Sequence, residues 1–115
     1  MSDDNATDQA QATSMMMLPE SMSKLQWVGD LDSGMLYLTT VTKDAIYIVN
    51  PRLMEIEKIV QTGRGPYEMV LKDQTLYVLN FLGNSIWTYD VSDPLNPVVV
   101  NRYFETSDNS STEAP

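Results

Sequence analysis

The chain has no cysteine and no histidine, and 7 basic residues stand against 16 acidic ones in 115 residues, a net charge of −9. Without cysteine there are no disulfides, no thiolate metal sites and no cysteine nucleophile. Without histidine there is no imidazole general base, no histidine-ligated haem and none of the usual zinc or copper sites. A Ser-His-Asp triad is excluded for the same reason. Lys and Arg are too few to neutralise a phosphate backbone, so the balance argues against nucleic acid as a partner. No apolar run approaches the roughly 18 residues of a membrane span. No basic stretch followed by an apolar one reads as a secretory leader. Nothing points to a cofactor.

The charge that is present is unevenly placed. Residues 1–23 carry Asp3, Asp4, Asp8 and Glu20 and no base, and residues 106–115 carry Asp108 and Glu113 and no base. Residues 24–105 hold 10 acids and all 7 bases. Both ends are rich in Ser, Thr, Asp, Asn and Ala and have little to bury, so 1–23 and 106–115 are expected to be disordered acidic tails. Met15-Met16-Met17-Leu18 is the one apolar patch of the first tail, and Pro19 cuts it short. An isolated short helix there is marginal in water.

The middle reads as strand throughout. Runs rich in Tyr, Val, Ile, Leu and Thr alternate with Gly, Pro, Asp and Asn, which predicts antiparallel strands over 25–31, 35–40, 45–50, 55–61, 67–72, 75–80, 85–90 and 98–105. No segment sustains a 3.6-residue period.

Shifted by 40 positions, the chain overlays itself. Leu36-Tyr37-Leu38 falls on Leu76-Tyr77-Val78, Ile46 on Ile86, Tyr47 on Trp87, Asn50 on Asp90 and Leu31 on Leu71. A repeat of about 40 residues with four strands per unit is the spacing of β-propeller blades. The fold class expected is therefore all-β, two four-stranded antiparallel propeller blades, over 25–62 and 66–105 within a domain of 24–105. Gly63 and Gly65 supply positive φ where one blade hands over to the next. Pro66 fixes the entry to the following strand. Asn50 and Asp90 cap turns, and Tyr37, Tyr47, Tyr77, Trp87 and Tyr89 supply bulk between packed sheets.

These residues also resemble a known repeat family. Gly63-Arg64-Gly65-Pro66, an apolar strand, Leu76-Tyr77-Val78-Leu79-Asn80 and then Asn84-Ser85-Ile86 are similar to the YVTN-type propeller blade. The stretch from Ile86 to Val98, with Asp90-Val91-Ser92-Asp93-Pro94-Leu95-Asn96-Pro97, is similar to the LVIVD-type repeat. The first copy departs from the pattern, with Thr39-Thr40 where Asn is expected and Asn50-Pro51 in place of Asp-Val-Ser. The resemblance implies a propeller with a scaffolding or recognition role. It also implies an extracellular, periplasmic or cell-surface location.

Chemistry-bearing constellations are few. Asp30-Leu31-Asp32-Ser33-Gly34 resembles the start of a calcium loop but lacks its bidentate Glu, and a tight hairpin explains it better. Ser21-Met22-Ser23-Lys24 has Ser-x-x-Lys spacing without the flanking motifs that give it meaning. Gly-Arg-Gly-Pro cannot cradle phosphate, because proline removes a donor. Four residues remain as candidate binding groups. Arg64 sits in a glycine-flanked loop and can present its fork to a carboxylate. Glu68 falls on the strand expected to be innermost in its blade, facing a central channel. Trp87 and Tyr89 either line a groove or pack between blades.

Two blades do not close a propeller, which takes about 4 to 8. Each blade has two faces, and a pair leaves one face of each uncovered. Three arrangements cover them: further blades of a longer propeller, further copies of this chain in a ring, or collapse of the two blades as a sandwich. The function this supports is a non-catalytic binding or assembly module whose partners are other blades, copies of itself or another protein. The alternative is a fragment of a propeller enzyme, lactonase-like or redox, whose active-site residues lie in blades outside this sequence.

Overall fold

The computed structural model describes residues 18–105. They form eight strands and no helix: β1 Met22–Val28, β2 Met35–Thr40, β3 Ala45–Asn50, β4 Glu55–Gln61, β5 Pro66–Lys72, β6 Thr75–Asn80, β7 Ser85–Asp90 and β8 Val98–Tyr103. The strands make two antiparallel four-stranded meanders, β1-β2-β3-β4 and β5-β6-β7-β8. The all-β class expected from the sequence is thus what the chain adopts. No helix among the described residues is long and apolar enough to cross a membrane. The tails at 1–17 and 106–115, with the Met15–Met17 patch, lie outside the described residues.

One boundary moves. β1 starts at Met22, inside the segment read as tail, and ends at Val28 instead of reaching residue 31. Gly29 turns the chain at φ +105. Asp30 then closes an Asx turn, its carboxylate accepting from the N–H groups of Asp32 at 3.1 Å and Ser33 at 2.8 Å. Leu31 therefore rides on a turn, 86% exposed, and is not the counterpart of Leu71 in β5. Pairing of Trp27 with Leu36 and of Leu71 with Leu76 makes Trp27 that counterpart. The repeat spacing is 44 residues between β1 and β5, because the β1–β2 turn is longer than the two-residue turn at Asp73-Gln74.

The two sheets are otherwise copies of one another in register. Leu36 pairs with Val49, and Leu76 pairs with Tyr89, 40 positions on. A bulge interrupts the β3–β4 ladder between Ile48 and Val49, and the β7–β8 ladder between Thr88 and Tyr89. A second bulge falls at Met22/Lys24 in the first sheet and at Pro66/Glu68 in the second. Left-handed residues recur too, at Asp44 and Asn84 (φ 54 and 56) and at Ser21 and Gly65 (φ 62 and 67). Even the turn bonds match: Val41 N–H donates to the Ser21 carbonyl at 3.0 Å, and Phe81 N–H to the Gly65 carbonyl at 2.8 Å. Gly65 carries the positive φ expected of it, whereas Gly63 serves a close approach. A Cβ there would lie 2.7 Å from the Asn80 amide.

The shared core draws Val28, Tyr37, Ile46 and Ile48 from the first sheet and Met69, Leu76, Val78, Trp87 and Tyr89 from the second. These residues do not occupy equivalent faces. Tyr37 lies on the buried face of its sheet, but its counterpart Tyr77 lies on the open face of the other. The sheets stack like successive steps of a stair, with equivalent faces pointing the same way. A two-fold axis would bring equivalent faces together, and this stacking does not. Two buried phenols tie the stack across the interface: Tyr37 Oη donates to the Pro94 carbonyl at 2.6 Å, and Tyr89 Oη to the Gln61 carbonyl at 2.8 Å.

Replacing Tyr37 with Phe removes that bond at a cost of about 1 kcal/mol, and Tyr37→Ala costs about 3–5 kcal/mol, both read from urea denaturation. Burial raises the phenols of Tyr37 and Tyr89 well above the ordinary tyrosine range. A raised group contributes stability that is full below the unfolded value, about 10, and is lost as pH climbs from there towards the folded value. Absorbance at 295 nm should show Tyr37 and Tyr89 titrating only as the chain unfolds.

Candidate functional site

The antiparallel meanders send turns to two ends. One end holds the β2–β3 turn, the 62–65 linker and the β6–β7 turn. The other holds the β1–β2, β3–β4, β5–β6 and β7–β8 connections. Arg64 belongs to the first end. Its side chain is exposed, and its carbonyl accepts from Gly83 N–H at 3.0 Å, which locks the linker onto the β6–β7 turn. The Asp44 carboxylate does the same from the first sheet, accepting from Gly65 N–H at 2.8 Å.

Glu68 sits at the edge of the second sheet, where β5 runs beside β1. Its carboxylate meets Lys24 Nζ at 3.2 Å and accepts from its neighbour Met69 N–H at 3.0 Å. Alongside, Ser23 Oγ donates to the Tyr67 carbonyl at 2.9 Å. Lys24 and Glu68 are counterparts in the repeat, since Lys24 pairs with Thr39 and Glu68 with Leu79. One position along the edge thus carries opposite charge in the two sheets.

Trp87 and Tyr89 are both buried in the shared core and line no groove. The Arg102 guanidinium covers the Trp87 ring at 4.3 Å from its centroid, and the Trp87 Nε1 finds no partner. The structure therefore does not bring the four candidates together. Arg64 is at one end, Glu68 at an edge, and the two aromatics inside.

Two further features stand out, of which only the uncovered sheet faces are expected from the sequence. A cleft of about 400 Å³ opens between the sheets at the other turn end, walled by Val28, Leu71, Val91 and Pro94 with Asp30 and Asp73 at its rim. The Asp30 carboxylate is already engaged by its own turn, and no group of three acidic residues among the described residues is placed to hold a metal ion. The second feature is the open face of the second sheet. Val70, Tyr77, Leu79 and Ile86 line a shallow apolar hollow of about 200 Å³ there, with Glu68 on its margin. The first sheet presents its own open apolar face, with Leu25 57% and Ile59 57% exposed. Period-two alternation within each strand carries the signal for these faces. β6 is apolar on both sides, Leu76 and Val78 on one and Tyr77 and Leu79 on the other, as in strands covered on both faces.

No protein-family model, no curated protein and no solved structure matches the chain.

Hydrogen bonds to ionised carboxylates lower the Glu68, Asp30, Asp90 and Asp93 acids. Met69 N–H followed by Lys24 acts on Glu68, Ser33 on Asp30, Ser92 on Asp90, and Asn96 then Leu95 on Asp93. A lowered acid contributes stability that is present above its unfolded value and lost as pH falls through the folded one. The urea midpoint should therefore fall on acidification below about pH 4. Lys24→Met should move Glu68 upward without returning it to the ordinary value, because the Met69 N–H remains. Carbon-detected NMR titration of the carboxyls would read both effects.

Proposed function

We propose that the chain is a non-catalytic assembly module made of two propeller-type blades, whose two open faces are covered by further blades or further copies. The observation that carries this reading is the stair-like stacking of two sheets with the same pairing register. Such stacking buries one face of each sheet and leaves two different faces uncovered, one at each end of the stack. Both uncovered faces carry large apolar side chains, among them Leu25 and Ile59 on one and Val70 and Tyr77 on the other. A contiguous apolar patch of this kind on an otherwise acidic chain marks a site of association. The YVTN and LVIVD resemblance, and with it a scaffolding role at a cell surface or in a periplasm, is consistent with this reading.

Sedimentation over a dilution series, run with and without an apolar dye, tests the module reading. Association that weakens on dilution, or a monomer whose faces bind anilinonaphthalene sulfonate, is the expected result. A monomer at every concentration that binds no dye would remove it, since its faces would then need no cover.

A further inference from the structure

We propose that the partner covering these faces is a second copy of the same chain, docked head to tail, so that copies close into a ring by repeating the contact already made inside one chain. This rests on the assembly-module reading above and names its partner.

The argument is one of equivalent positions. The inner interface joins the Tyr37 face of the first sheet to the Val78 face of the second. The open face of the second sheet is the counterpart of the first of these surfaces: Tyr77 stands for Tyr37, Ile86 for Ile46, and Leu79 for Thr39. The open face of the first sheet is the counterpart of the second surface. Leu25 stands for Met69, Leu38 for Val78, and Tyr47 for Trp87. Met69 is 2% exposed in the inner interface, whereas Leu25 is left at 57%. One chain therefore owns both halves of a contact it has already formed once, and the halves point in opposite directions. A heterologous contact of this kind closes into a ring when its rotation allows.

Charge fits the same partner. The inner contact places Lys24 of the first sheet 3.2 Å from Glu68 of the second. Repeating the step places Glu68 of one copy beside Lys24 of the next, so the edge strands carry alternating charge around the ring. Stacking like on like would instead set Lys24 against Lys24 or Glu68 against Glu68. A backbone contact recurs as well. Asp44 accepts from Gly65 N–H, and the counterparts of that pair are Asn84 and Ser21, which have the same left-handed backbone. Asn84 of one copy is thus set to accept from Ser21 N–H of the next. With two sheets per chain, a closed ring of about 4 to 8 sheets holds two, three or four copies.

Blocking one face at a time tests this. One variant carries Val70→Lys and Tyr77→Lys on the second sheet's open face, and the other carries Leu25→Lys and Ile59→Lys on the first sheet's. All four positions are exposed within the chain, so the fold should survive, as read by circular dichroism. If either variant loses its β spectrum, serine at the same positions replaces lysine in the test. Light scattering should give a closed oligomer for the unaltered chain, a monomer for each variant alone, and a dimer on mixing the two, because each keeps one competent half. Dimers formed by a single variant would overturn the head-to-tail contact. A mixture that stays monomeric would overturn it too. An unaltered chain that is monomeric yet binds the apolar dye would overturn self-pairing while leaving the module reading in place.

Discussion

Everything in this structure depends on a contact between two surfaces that are not equivalent. A β-sheet with apolar residues on both sides must bury both. Here each sheet buries one, and because the sheets point the same way, the buried one differs between them. Tyr37 and Tyr77 share a place in the repeat, and the first is fully buried while the second is 41% exposed. The composition of β6, apolar on alternate positions in both directions, is the pattern of strands covered on both faces.

Much of this was legible in the sequence because strand pairing and turn chemistry are local. Asn50 and Asp90 cap their turns as expected, accepting from Arg52 and Ser92 N–H respectively. β2, β3, β4, β6 and β7 fall where alternation and turn residues place them. β1 was misplaced because two signals competed there. Apolar residues continue through Leu31, but Gly29 and the Asx turn at Asp30 end the strand first. The tertiary fate of each aromatic was less legible. Tyr37, Trp87 and Tyr89 pack between the sheets, whereas Tyr47 and Tyr77 lie on the outward sides. Pattern alone assigns a residue to a side of its strand and says nothing of which side meets a neighbour. Glu68 is expected on the innermost strand of its unit, but its pairing with Lys24 depends on how the sheets stack.

The contact is also the seat of the buried polar chemistry. The Tyr37 and Tyr89 hydroxyls each reach a carbonyl of the opposite sheet or its flanking linker, as buried phenols must. Thr40 and Asn80 hold the same repeat position at zero exposure, and each bonds locally: Thr40 Oγ1 donates to the Ala45 carbonyl, and Asn80 Nδ2 to Ser85 Oγ. The linker crosses directly over Asn80, which is why Gly63 has no room for a side chain. The two phenol bonds cross between the halves and fix how far one sheet can slide over the other, a constraint that apolar packing alone leaves loose.

The places where the two halves differ are the places where they touch. The β1–β2 turn has grown in the first half, and the β7–β8 connection has grown in the second. The two meet at one end of the cleft. A Cβ on Gly29 would lie 2.8 Å from Pro94 Cγ, and the Pro94 carbonyl receives the Tyr37 hydroxyl. Nearby, Lys58 Nζ donates to Asn96 Oδ1 at 2.8 Å. Of the shorter turns, β5–β6 reaches the same cleft through Asp73, and β3–β4 does not line it. The long connections thus mark the contact made inside the chain. Strand order and pairing register, by contrast, repeat in both halves. The turns diverge where the contact within the chain falls, at Gly29 and Pro94.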